Sequence, residues 1–226
     1  MTELASVLLL GFLLGVRHAT DSDNVVAVTT ILSREPSLRR VTQVGALWGL
    51  GHGVTVFVVG SAIVLGGLVV PPRLALGLEL MVGAMLVLLG GLNLAALWPG
   101  LAPDTPAAAP PANDGLPHRL LLRPLLVGLV HGLAGSSAIA LLVLTTIRQP
   151  GWAAAYLVIF GIGTLLGMVA ISLGIALPFR GRAASPRWRR PLTAASGALS
   201  LGFGVFLVYQ IGFVEGLLRG AAGLPH

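Results

Sequence analysis

Six apolar runs, at about 4–32, 42–70, 74–98, 120–147, 152–178 and 191–218, decide what this chain can fold into. Each exceeds the roughly 20 residues needed to cross hydrocarbon. Charged residues make up only 10% of the 226 positions, against about a quarter in a soluble domain. Too few polar groups remain to coat a water-facing surface. Within a bilayer, backbone groups must be satisfied inside each segment, so apolar runs of this length form helices. The expected fold is an all-α membrane protein of six transmembrane helices, multi-pass in the inner (plasma) membrane.

The strongest break between runs is 99–119, with six prolines from Pro99 to Pro117 plus Asp104, Asn113 and Asp114. Its composition reads as a Pro/Ala-rich loop. It separates a first three-helix unit, 1–98, from a second, 120–226. Ten arginines lie in the loops after the first, third and fifth runs, where Arg34, Arg39, Arg40, Arg119, Arg123 and five between Arg180 and Arg190 fall. Arg73, Arg148 and Arg219 lie on the other side. The positive-inside rule then puts both termini outside. The pI near 11.4 reflects this orientation and anionic headgroups, not a nucleic-acid partner. The N-terminus, Met1-Thr-Glu-Leu, has no positive region of a signal peptide, so the first run is retained as a helix. Cysteine is absent, which excludes disulfides and thiolate metal sites.

The halves resemble each other. Gly15-Val-Arg-His18 pairs with Gly128-Leu-Val-His131, Gly49-Leu-Gly-His52 with Gly161-Ile-Gly-Thr164, and Gly83-Ala-Met-Leu with Gly197-Ala-Leu-Ser. The offsets are 113, 112 and 114 residues. With three spans per unit, the second copy enters the membrane from the opposite side. Such inverted repeats build midplane sites in many secondary transporters.

The first run contains a polar octet, Arg17-His18-Ala-Thr20-Asp21-Ser22-Asp23-Asn24. As one helix the run would extend about 44 Å, beyond a core of about 30 Å, so a break at the octet is expected. Each central Arg or Asp costs roughly 2.5–3.5 kcal/mol on insertion scales. A purely structural interpretation is an interfacial turn with Arg17 and Asp21 paired across i,i+4. That pair would leave Asp23 beside His18 with no local cation, and an anionic pocket with imidazole suits a borderline divalent cation. On a continuous helix His18 and Asp23 point about 140° apart. Joint chelation by His18, Asp21 and Asp23 therefore requires unwinding or a second helix.

His52 lies on the stripe Gly45-x3-Gly49-x3-Gly53, and His131 lies between Gly128 and Gly132. Small residues let helices approach closely. If the halves pack face to face, His18, His52 and His131 converge, with Thr164 at the fourth corner. Glu79 reads as an interfacial carboxylate near Arg73, and Asn93 is placed to bond a neighbouring helix.

Gly15-Val-Arg-His-Ala-Thr-Asp-Ser-Asp-Asn24 resembles the signature of the nickel/cobalt transporter family, R-H-A-x-D-A-D-H, an H-x4-D-H metal motif. Leu47-Trp-Gly-Leu-Gly-His52-Gly resembles that family's following S-L-G-H segment. Gly128-Leu-Val-His131-Gly-Leu-Ala-Gly-Ser-Ser resembles the six-span urease-accessory membrane proteins. The resemblance implies permeation of Ni2+ or Co2+, with His18, Asp23 and His52 at motif positions and Asn24 where the motif has a second histidine. An amide oxygen is a harder and poorer nickel donor than imidazole. The metal-ligating set expected is therefore His18, Asp21, Asp23, Asn24, His52 and His131, with no cofactor.

Three functions compete. The first is a secondary metal permease, with uptake favoured because the long loop lacks the histidine-rich tract of efflux relatives. The second is a non-transporting accessory subunit for metalloenzyme maturation, partnered with urease or hydrogenase maturation proteins. The third, an intramembrane hydrolase around Gly135-Ser136-Ser137, is weakened because His131 stands five residues from Ser136, a poor helical geometry for a dyad. The expected protein is not an enzyme.

Overall fold

A computed structural model of the chain describes residues 2–33, 37–67, 70–98, 118–133, 147, 149–177 and 186–218. Among these there are seven α-helices and no strand. In chain order they are α1 (Thr2–Ala19), α2 (Ser22–Leu32), α3 (Leu38–Gly66), α4 (Pro72–Ala95), α5 (His118–Leu133), α6 (Pro150–Ala176) and α7 (Pro186–Tyr209). A π-helical turn, Gln210–Val214, continues α7. Among the described residues four helices are long and apolar enough to cross a membrane: Leu38–Val64, Pro72–Ala95, Pro150–Ala176 and Arg190–Val214. Of the 99–119 loop, residues 99–117 lie outside the described residues, as do Gly135, Ser136 and Ser137.

The first apolar run is two helices, interrupted at Thr20 and Asp21. Local polar groups satisfy the freed backbone there. Thr20 N–H donates to Arg17 O at 2.8 Å and Asp21 N–H to His18 O at 3.2 Å. The Asn24 amide reaches back to the same His18 carbonyl at 2.9 Å. Each group would otherwise stay unpaired in a medium that offers no water. The other long helices begin and end on residues suited to the task. Proline opens α4 and α6, where a missing N–H costs nothing. Gly67, at φ 60°, closes α3 through a bond to Ala62 O, as only glycine does without strain.

Backbone contact organises the bundle. The largest interface joins α3 to α6; α1 packs on α6, α5 on α3, and α4 on α7. Glycine permits each approach. A Cβ on Gly15 would collide with the Phe160 carbonyl, and one on Gly128 with the Trp48 carbonyl. Gly163 lies on the Phe12 carbonyl, and Gly51 on that of Leu125. A Cβ on Gly90 would meet Gly197 O at 2.7 Å, and one on Gly204 would meet Gly83 O at 2.8 Å. These approaches exchange in pairs under a shift of 112–114 residues. Thus α1 meets α6 through residues corresponding to those by which α5 meets α3.

The short helix α2 differs from its neighbours. It packs mainly against α7 and α4, and less against α6. Val26, Ala27, Val28 and Leu32 join Trp48, Leu86 and Met168 in the principal core. The break in the first run therefore sits where helices from both halves meet.

Candidate metal site

The polar residues of the first run acquire partners from three other helices. His18 closes α1, with its ring 5.8 Å from that of Phe160 on α6. Its Nδ1 lies 2.8 Å from Asp21 Oδ2, and its Nε2 lies 2.7 Å from His52 Nε2 on α3. His131, on α5, places Nε2 2.9 Å from Asp23 Oδ2. The His52 and His131 ring centroids are 6.0 Å apart. His52 and His131 are wholly buried and His18 is 5% exposed. The Asp21 side chain keeps 40% of its surface open and that of Asp23 keeps 18%.

The hydrogen bonds assign the tautomers. With the Asp21 carboxyl oxygen as acceptor, His18 donates from Nδ1 and holds its lone pair at Nε2. His52 then donates from Nε2–H to His18, which leaves its buried, unpartnered Nδ1 as an acceptor. A carboxylate on Nδ1 with a free lone pair on Nε2 is how metal-ligating histidines are oriented. The His131–Asp23 contact is short, yet among the described residues neither His131 ring nitrogen has a partner in hydrogen-bond geometry.

Asp21 pairs with His18, not with Arg17, whose side chain is exposed. Asp23, which has no cation on its own helix, meets His131 instead. The four-residue spacing suggested the wrong partner because Arg17 precedes the break and the turn redirects Asp21. Asn24 is completely buried; its amide nitrogen holds the His18 carbonyl while its oxygen has no partner. Thr164 is also fully buried, but its hydroxyl donates to Phe160 O at 3.0 Å within α6.

Among the described residues no three His, Asp or Glu side chains already form a coordination group. Nitrogens held at 2.0–2.1 Å around one tetrahedral ion would stand about 3.3 Å apart. The His18–His52 separation is shorter, so the two nitrogens could share one such ion only if the rings parted by roughly half an ångström. Chemically the set suits a borderline divalent cation: imidazole nitrogen on three helices with two carboxylates alongside.

One neighbour, Trp48, is not singled out by sequence, and Glu79 is read there only as an interfacial carboxylate near Arg73. Trp48, fully buried, stands edge-on to His131 at 5.7 Å, and its indole N–H has no partner. An aromatic inside an apolar helix gave no signal beyond packing. Glu79 is partly buried and within electrostatic reach of Asp23 and Glu215. Its place on the acidic side of the site depends on how α4 meets α2 and the π turn, which spacing does not reveal.

Over 226 residues, covering 96% of each chain, the sequence is 33% identical to urease accessory protein UreH of Bacillus sp. (strain TB-90). No family model matches the chain, and no solved structure matches it.

Proposed function

The chain belongs to the urease-accessory branch of the nickel/cobalt transporter family, and from that premise we propose that it is a secondary permease for nickel or cobalt, working in uptake. One observation carries the reading: the His18 Nε2–His52 Nε2 approach of 2.7 Å, flanked by Asp21 and Asp23. Four helices bring nitrogen and carboxylate donors to a helix break, where irregular backbone is tolerated because it lines a polar site. The ion is cargo. It meets His18, Asp21, Asp23, His52 and His131, with the Asn24 oxygen as a further donor.

Loading has a proton cost. His52 Nε2 carries the hydrogen shared with His18, so ligation there requires that hydrogen to move to the buried Nδ1. An unpartnered buried N–H costs about 1–3 kcal/mol. Imidazole must be neutral to ligate, so a metal ion and an added proton compete for the same rings, which offers a route to proton coupling. The paired glycine approaches support two inverted three-helix repeats, 1–98 and 120–226, around a midplane site. The arginine bias supports an inner-membrane protein with both termini outside.

A second reading has its own support. The relative is named an accessory protein, and Asn24 stands where the family motif has histidine. A non-transporting subunit serving urease or hydrogenase maturation proteins would tolerate that change. Asn24→His separates the two: metal flux rises in a permease weakened at this position and stays at zero in a subunit that has lost transport.

The direct test is total nickel, cobalt, zinc and manganese in cells expressing the parent or His18→Ala. Nickel or cobalt raised by the parent alone supports uptake through this site. Lowered metal reverses the direction, and unchanged metal favours the accessory reading.

A further inference from the structure

The donors of the site stand on two different packing groups. His18, His52 and His131 belong to α1, α3 and α5, which are joined through α3 and α6 by the glycine approaches at Gly15, Gly128, Gly51 and Gly163. Asp23 and Asn24 belong to α2, which leans on α7 and α4. The turn at Thr20 and Asp21 lies between the groups. A second buried polar cluster lies at the far end of α2. Asn93 on α4 donates its amide to Thr30 O at 2.8 Å and to Ser33 Oγ at 3.2 Å, and reaches Ser196 Oγ on α7 at 3.5 Å. A carbonyl only accepts, which fixes the orientation of that amide. Thr30 Oγ1 lies 3.3 Å from Ser196 O as well as 2.8 Å from Val26 O. Thr30 and Ser196 are 3% and 5% exposed.

We propose that Asn93 is a positioning residue: it clasps α2 to the α4–α7 pair, so that Asp23 and Asn24 move with that pair against the three imidazoles. The clasp is polar, and within a bilayer interhelical hydrogen bonds add to the close packing that joins helices. Three helices meet on one amide, and the α2 end they hold lies about 10–15 Å along the helix axis from Asn24. A small tilt of α4–α7 is then delivered to the carboxylates, with Thr20–Asp21 as the hinge. The ion is gripped when the carboxylates face the imidazoles and released when they withdraw. The inference rests on the permease reading.

The test uses the full chain in proteoliposomes for nickel uptake and in detergent for equilibrium nickel binding. Asn93→Leu is expected to lower uptake about tenfold while leaving binding within about threefold, the size of effect a coupling residue gives. In the same background, Thr30→Cys with Ser196→Cys, bridged by a short bis-thiosulfonate, restores uptake because the bridge replaces the clasp. Unchanged uptake in Asn93→Leu overturns the proposal. So does binding lost in step with uptake, which would make Asn93 a support of the site alone, or uptake arrested by the bridge, which would mean α2 must part from α7. A parent that neither takes up nickel nor differs from His18→Ala removes the permease reading itself, and the inference with it.

Discussion

At the scale of single residues the site is a set of mutual constraints. Asp21 fixes the His18 tautomer, His18 sets that of His52, and His131 faces Asp23 without a matched hydrogen bond. Asp21 is therefore as important for orientation as for charge. Asp21→Asn keeps the size but removes the obligatory acceptor. Nickel affinity, measured by titration calorimetry on purified protein, is expected to fall about 10–100-fold, as for other partners that orient a ligating histidine. Affinity unchanged by that substitution would show that Asp21 neither orients His18 nor holds metal. Asn24 has a structural task at the break. Its amide nitrogen secures the carbonyl that the helix break would leave unpaired, so an imidazole placed there must replace that bond as well as bind the ion.

The helices themselves depend on glycine where backbone meets backbone. Gly15 and Gly128 contact carbonyls at corresponding places in the two halves, whereas Gly91 has open space around it. Adding a methyl group at the first two overpacks a tight crossing, which costs about 1–3 kcal/mol. Gly15→Ala and Gly128→Ala are each expected to lower the unfolding midpoint in detergent, while Gly91→Ala leaves it unchanged or raises it. Equal behaviour of all three would contradict the packing described. Much at this scale is legible in the sequence, because close crossings need glycine and glycine spacing survives in the text of the chain. The break at Thr20–Asp21 is legible too, through polarity that an intact span would not tolerate. The seat of α2 is not legible. Thr30, Ser196 and Asn93 are far apart in the chain, and Ser and Thr occur throughout apolar helices with their hydroxyls satisfied one turn back. Thr164 shows that outcome, bonding Phe160 O.

For the whole molecule, the glycine approaches that exchange under a shift of 112–114 residues make the halves pack as counterparts, and the arginine bias is the basis for the orientation proposed. Orientation is open to experiment because the chain has no cysteine. Single substitutions Ser37→Cys and Pro71→Cys place a thiol at the start of α3 and of α4. A membrane-impermeant maleimide added outside intact cells is expected to label the second and spare the first; the reverse pattern would invert the topology. The proposed function rests on the placement of the polar residues within this frame. Nitrogen and carboxylate donors gather at one helix break, and neither half could assemble them alone. Nickel uptake into proteoliposomes containing the purified parent or His52→Ala tests that directly, since no partner protein is present. The expected result is uptake by the parent that is abolished in His52→Ala; equal uptake by the two proteins would contradict a path through the His18–His52 pair.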